Sequence, residues 1–279
     1  MNFSTRKIQP IASRFIWPDI EHCKRTVLLV FVFIFSSGVK AQNTSYTQLC
    51  NELQFARAIN DKWAAELFLG GAFSNTPSEP RVLSTNIQRY VFLWGHYYLS
   101  PRWKLSSSLA YYYNKDVPDI GQYFSPEYRW TLQGIYYIHK TGYTLLTRMR
   151  GEFRYMMNAD SVFEDKYRYR QMIKFLKPIN SRVLRKGVFY LVTTEELLFK
   201  PQAKTEGVTF FDRNRFEIGG GYLITDNLQV ELAYLNEFLP RDDGNQIYNC
   251  LALTFTFNNL LTNLKKAIFP GISQDDSTE

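Results

Sequence analysis

The chain has 279 residues and a formal net charge of +7, and aromatic residues make up 16% of it. Its mean hydropathy is −0.28, so abundant apolar groups must be interleaved with polar ones, which excludes a bundle of membrane-spanning helices. Much of the positive charge sits in the first 41 residues; beyond them 27 basic and 24 acidic groups remain, a net charge of +3. No basic helix or zinc-finger spacing speaks for nucleic acid.

In chain order, residues 1–41 read as a signal peptide. The pair Lys24-Arg25 precedes the apolar run "VLLVFVFIF" at 27–35, and "VKA" at 39–41 supplies small residues for cleavage near Ala41. The run falls short of the roughly 20 residues that a spanning helix needs; a retained anchor is the alternative. Export would place the rest of the chain in an oxidising compartment, where Cys50 and Cys250 are its two cysteines, since Cys23 leaves with the leader.

From residue 44 to 257, segment after segment alternates apolar and polar residues, the period of a sheet with two different faces. Strands are expected at about 47–58, 62–73, 84–99, 102–114, 123–138, 142–156, 165–177, 187–200, 212–224, 227–238 and 246–257. In "YTLLTRMRGEFRYM" from Tyr143, Met149, Gly151, Phe153 and Tyr155 share one face, and Arg148, Arg150, Glu152 and Arg154 share the other. "KYRYRQMIKFLK" from Lys166 sets Tyr167, Tyr169, Ile173 and Phe175 against Arg168, Arg170 and Lys174. Further on, Arg215, Glu217, Gly219 and Gly221 oppose Phe216, Ile218, Tyr222 and Ile224.

Strands this long, joined alternately by short turns and longer polar loops, are the pattern of a transmembrane barrel with periplasmic turns and external loops. Tyr97-Tyr98, Tyr111 to Tyr113, Trp130 and Tyr136-Tyr137 lie near strand ends on the apolar side, where a membrane barrel carries its aromatic girdles. The expected fold class is therefore all-β: a single transmembrane antiparallel up-and-down β-barrel over 42–258, with a C-terminal tail at 259–279. Eleven segments are visible, but such barrels usually have an even number, so ten to twelve strands are expected, with twelve preferred.

The stretches "FDRNRFEIGGGY", "LQVELAYLNEF" and "NCLALTFTF" resemble an uncharacterised family of Gram-negative outer-membrane β-barrels known only as a domain of unknown function. The likeness rests on Asp212, on the pair Asn214-Arg215 opening a strand, and on the following hairpin with Tyr234-Leu235-Asn236. It implies a barrel and the outer membrane, with lipid as the surrounding partner, and no particular activity.

The chemistry-bearing residues point mostly inward. Arg148, Arg150, Arg154, Arg168, Arg170 and Lys174 form a basic band on two adjacent strands, and Glu196, Glu217, Glu231 and Glu237 give an acidic tendency to the next three, with Glu152 and Arg215 among them. A narrow lumen must pair such charges, so the expectation is a salt-bridged plug; the alternative is a small polar pore whose basic side attracts a small polar or anionic solute. Cys50 and Cys250 fall on the inward register of the first and last strands, which suggests a disulfide across the closing seam; the alternative is two packed thiols.

His96 and His139 have no neighbouring serine motif, and two histidines with two distant cysteines do not make a metal ligand set, so no catalytic, metal or cofactor site is expected. The triplet Gly219 to Gly221 lacks the context of a phosphate loop and is better read as wall, marking a bend or room for a large neighbour. An outer-membrane lipid hydrolase or acyltransferase, and a soluble exported barrel binding an apolar ligand, are the competing functions. The soluble barrel would need the Met149/Phe153 face inside and the Arg148/Arg150 face outside.

Overall fold

The computed structural model describes residues 43–76, 79–201, 210–241 and 244–259; the expected signal peptide, and the expected tail from residue 260 on, lie outside the described residues. Eleven strands follow in chain order within them: β1 (Thr44–Ala58), β2 (Trp63–Ser74), β3 (Asn86–Ser100), β4 (Trp103–Asn114), β5 (Glu127–His139), β6 (Thr144–Met157), β7 (Phe163–Pro178), β8 (Phe189–Lys200), β9 (Phe210–Thr225), β10 (Leu228–Leu239) and β11 (Gln246–Asn258). Each pairs with its chain neighbours in antiparallel register, and β1 pairs with β11, so the sheet closes into a barrel.

The count of eleven lies within the expected range, but the preferred even number is not met. An odd count brings β1 and β11 together running the same way, and they form a parallel ladder from Thr44/Gln246 to Ala56/Asn258. Parallel ladders are slightly less stable per residue than antiparallel ones, and here side chains reinforce the seam on both faces. Inside, the rings of Tyr46 and Tyr248 stack at 5.0 Å, Cys50 and Cys250 are disulfide-bonded with Cα atoms 6.5 Å apart, and Thr256 Oγ1 donates to Gln54 Oε1 at 2.9 Å. Outside, Phe55 stacks on Phe257 at 5.3 Å.

Strand ends follow local chemistry. β5 starts at Glu127 rather than near 123, because Pro126 has no N–H to give the ladder. The connections 59–62, 101–102, 140–143 and 226–227 lie at one end of the barrel, and the longer connection 115–126 lies at the other with 158–162. The connection 179–188 departs from this pattern: it is long yet sits at the short-turn end.

The alternation of residues decides which face meets which surroundings. Met149 and Phe153 point outward, 55% and 40% exposed, while the side chains of Arg148 and Arg150 point into the lumen at 16% and 12%. Leu93, Leu109, Leu132, Ile173 and Leu232 continue the outward apolar surface. Ring pairs flank it at both ends: Trp63–Tyr97, Trp103–Tyr136 and Phe189–Tyr222 on the short-turn side, and Tyr111–Tyr128, Tyr155–Phe163 and Phe199–Phe210 on the long-loop side. The shortest strands have 12 residues, which at about 3.3 Å per residue and the usual barrel tilt of roughly 40° gives a wall about 30 Å high.

The glycine triplet on β9 is wall, and its inward members make room for neighbours. A Cβ on Gly221 would collide with the Tyr190 ring, which lies across it so that the hydroxyl donates to Glu231 on β10 at 2.8 Å. The same device recurs on the far side of the barrel. Tyr90 on β3 covers Gly70 on β2, where a Cβ would stand 2.5 Å from the ring, and donates to Glu52 on β1 at 2.8 Å.

Candidate functional site: the ion-paired lumen

Inward alternation on β5 to β9 brings arginines and carboxylates into one connected network of nine arginines and six carboxylates. Glu127, on β5, takes Nε of Arg129 at 2.7 Å and a two-pronged contact from Arg154 at 2.7 and 2.8 Å. Glu152, on β6, receives Arg170 at 2.8 Å and lies 3.5 to 3.9 Å from Arg129, Arg150 and Arg168. Glu196, on β8, is gripped by Arg170 through Nη2 at 2.5 Å and Nε at 3.0 Å, and is also bonded to Arg148. Paired this way, charges that would be prohibitive in isolation are tolerated in a narrow lumen.

A β-bulge enlarges the network at the start of β9. Leu198 pairs with Arg213 and Phe199 with Phe211, which leaves Asp212 as an extra residue. The bulge lets two consecutive residues, Asp212 and Arg213, both point inward and be buried. Asp212 then meets Arg168 at 3.2 Å, Arg213 at 3.1 Å and Arg241 at 3.5 Å. Arg213 and Arg215 share Glu237 on β10, at 3.0 and 2.6 Å. Asn214, between them in sequence, faces outward and donates through Nδ2 to Glu195. Asn236 likewise faces outward and donates to Asn249 at 3.0 Å.

The long-loop mouth is crossed by a residue that alternation could not locate. Asp119, from the connection 115–126, reaches Arg213 at 2.5 Å and also bonds Arg241 in the β10–β11 connection. Val117 and Ile120 come with it to line the lumen. Burial alone would raise the Asp119 pKa, but Arg213 and Arg241 outweigh it and hold the carboxyl down at about 2. The latch is therefore fully charged at neutral pH.

Toward the short turns the pairing thins. Lys174 and Glu217 lie on one rung of the sheet, separated by Thr194, while Glu52 and Glu231 are capped by the two tyrosine hydroxyls. The wall formed by β2 to β4 is lined mainly by rings, with few charges among them. Phe92, Trp94 and His96 stack in file along β3, with centroids 6.5 and 6.0 Å apart and planes within 11° and 7°. Tyr112 is a correction to the aromatic pattern read from sequence: it is buried inside, under the Arg129 guanidinium at 4.1 Å, while Tyr111 and Tyr113 face out. His96 is buried as well, with Nδ1 2.7 Å from Ser106 Oγ and Nε2 3.0 Å from Glu66. His139 stands at the exposed end of β5, stacked on Tyr143 at 4.0 Å. Between the charged and aromatic walls remains a cavity of about 540 Å³.

All the inward charges expected from sequence thus line the lumen, and six further partners complete the network: Glu127 and Arg129 on β5, Asp212, Arg213, Asp119 and Arg241. The β5 pair was available in the alternation of "EYRWTLQ". Arg213 shares the inward register of Arg215 and Glu217 and was available in the same way, whereas Asp212 needed the bulge to turn inward and the two loop residues had no periodic signal at all.

A model of the DUF2490 family, described as a protein of unknown function, matches residues 47–248, from early in β1 into β11. The chain belongs to the DUF2490 family. The match spans the motif at Asp212, Asn214 and Arg215 and every residue of the lumen network of this DUF2490 protein, and it stops short of the seam residues Cys250, Thr256 and Phe257. No curated protein and no solved structure matches the chain significantly.

Proposed function

We propose that this DUF2490 protein is exported by its leader and spans the outer membrane as a barrel, whose ion-paired lumen admits or binds only small polar solutes. One observation carries the reading: an outward apolar surface, bounded above and below by aromatic rings, surrounds a lumen filled with arginines and carboxylates. In water this arrangement would expose the apolar groups and bury the charges, the reverse of a soluble ligand-binding barrel. In lipid it is the favourable one. The fifteen charged side chains of the network act as a plug, latched at the long-loop mouth by Asp119, and the basic excess favours anions in what space remains.

The test is extraction in detergent followed by electrophoresis with and without heating, then reconstitution in planar bilayers. Migration that changes on heating, together with small anion-preferring current steps, is the expected result. Recovery in the soluble periplasmic fraction, with migration indifferent to heating, would overturn the reading.

Acyl transfer by a lumenal serine has one observation in its favour: Ser106, His96 and Glu66 touch in sequence, as nucleophile, base and orienting acid must. A fluorophosphonate that labels the native barrel but not Ser106→Ala supports this second reading, and failure to label the native barrel removes it.

A further inference from the structure

We infer that the lumen contains a built binding site for a small oxyanion, a carboxylate or phosphate, formed by Arg148, Arg150, Trp94 and Ser108. The inference deepens the proposal of a solute-binding lumen and rests on it only in taking the cavity to be reachable by solutes. Three independent observations meet at this place.

The first is charge. Nine arginines share six carboxylates in the described network, so cationic groups outnumber their counter-charges in a place where isolated charge is costly. Arg150 has the weakest pairing of the group. Its Nε and Nη2 both donate to one neutral oxygen, Gln133 Oε1, at 3.0 and 2.9 Å, and its nearest carboxylate contact is Glu152 at 3.8 Å.

The second is unspent hydrogen-bonding capacity. Trp94 Nε1, Ser108 Oγ and Arg148 Nε are buried and have no partner. Trp94 and Ser108 are 3% and 2% exposed and are cross-strand neighbours on β3 and β4. The Arg150 guanidinium lies over the Trp94 ring at 5.2 Å, which ties the β6 arginines to the same patch. A buried donor left unpaired costs about 1–3 kcal/mol, so several of them around one excess cation describe the complement of an acceptor-only ligand.

The third is space. Trp94, Arg148 and Arg150 all line the 540 Å³ cavity, which is ample for a carboxylate or a phosphate. Two oxygens of such an anion match the planar fork of a guanidinium, whereas a spherical chloride does not.

The experiment uses the full mature chain, refolded in detergent, and follows thermal unfolding at constant ionic strength in sodium chloride, sodium phosphate and sodium acetate. A ligand that binds only the folded barrel raises the unfolding temperature with its concentration. The expected result is a rise with phosphate or acetate beyond that with chloride; a response to phosphate alone assigns a phosphoryl ligand, and a response to acetate assigns a carboxylate. Arg150→Gln is expected to abolish the response. Trp94→Phe, which keeps the ring and removes only the N–H, is expected to weaken apparent affinity several-fold while migration remains heat-modifiable. Equal responses to all three salts, or a phosphate and acetate response unchanged in both variants, would overturn the site. Neither outcome touches the membrane reading, which stands or falls on fractionation and heat-modifiable migration.

Discussion

The two walls of the lumen solve the same problem with different chemistry. From β5 to β9 the inward side chains are arginines and carboxylates that neutralise one another across strands; from β1 to β4 they are rings, glycines and small hydroxyls, with Glu52 capped by Tyr90 and Glu66 held by His96 rather than by arginines. The charged wall is stabilised by pairing, so it is intolerant of losing one partner. The aromatic wall is stabilised by fit, so it is intolerant of added volume. Each wall also contains one ring laid over a glycine and fastened to a glutamate, Tyr90 over Gly70 in the aromatic wall and Tyr190 over Gly221 in the charged one.

The contrast is broken most severely at Glu152. Replacing it with Ala leaves Arg129, Arg150, Arg168 and Arg170 facing one another without their shared carboxylate, and a loss of about 3–5 kcal/mol is expected, read as a lower temperature for the heat-induced mobility change. Next comes the seam. Cys50→Ser with Cys250→Ser removes a cross-link between strands 200 residues apart and is expected to cost about 2–4 kcal/mol, with the same loss produced in the native barrel by reductant. Where a ring lies over a glycine, added volume matters. Gly221→Ala is expected to cost about 1–3 kcal/mol because the new methyl meets the Tyr190 ring, whereas Gly151→Ala, where a Cβ meets nothing within 4 Å, should leave unfolding nearly unchanged.

The smallest effect is local. Asp119→Asn is expected to loosen the connection 115–126 and raise its cleavage by protease, with little change in overall unfolding. The native latch carries a pH signature as well: the carboxyl has an ordinary value of 3.8 and is held at about 2 in the barrel. Its contribution is therefore complete above about pH 4 and disappears as pH falls through about 2. Protection of the loop should be flat from pH 8 to pH 5 and fail only in strong acid.

How much of this could be read from sequence differs between the walls for a physical reason. Arginine and glutamate in strict alternation with Met149 or Phe153 have only one sensible side in a barrel, so the β6 and β7 charges were legible residue by residue. Aromatic side chains serve both faces, and nothing in "AYYYN" says that the middle tyrosine, Tyr112, goes inside while its neighbours face out; an arginine on the next strand, Arg129, supplies the reason. The bulge at Asp212 breaks the period that alternation depends on, and Asp119 and Arg241 lie in connections that have no period. The strand count shows the same limit. All eleven strands were visible, but the usual preference for even numbers argued against them because a parallel seam leaves no local mark on either strand.

The central claim is that the charged face of the sheet is the lumen and the apolar face meets lipid. The disulfide occupies both cysteines among the described residues, so single new cysteines there can carry spin labels. In liposomes, a label on Met149→Cys should be relaxed by oxygen, which partitions into lipid, and shielded from a water-soluble nickel complex, while a label on Gln229→Cys, on the lumenal side, should show the opposite preference. A nickel-accessible, oxygen-poor label at position 149 would contradict the account.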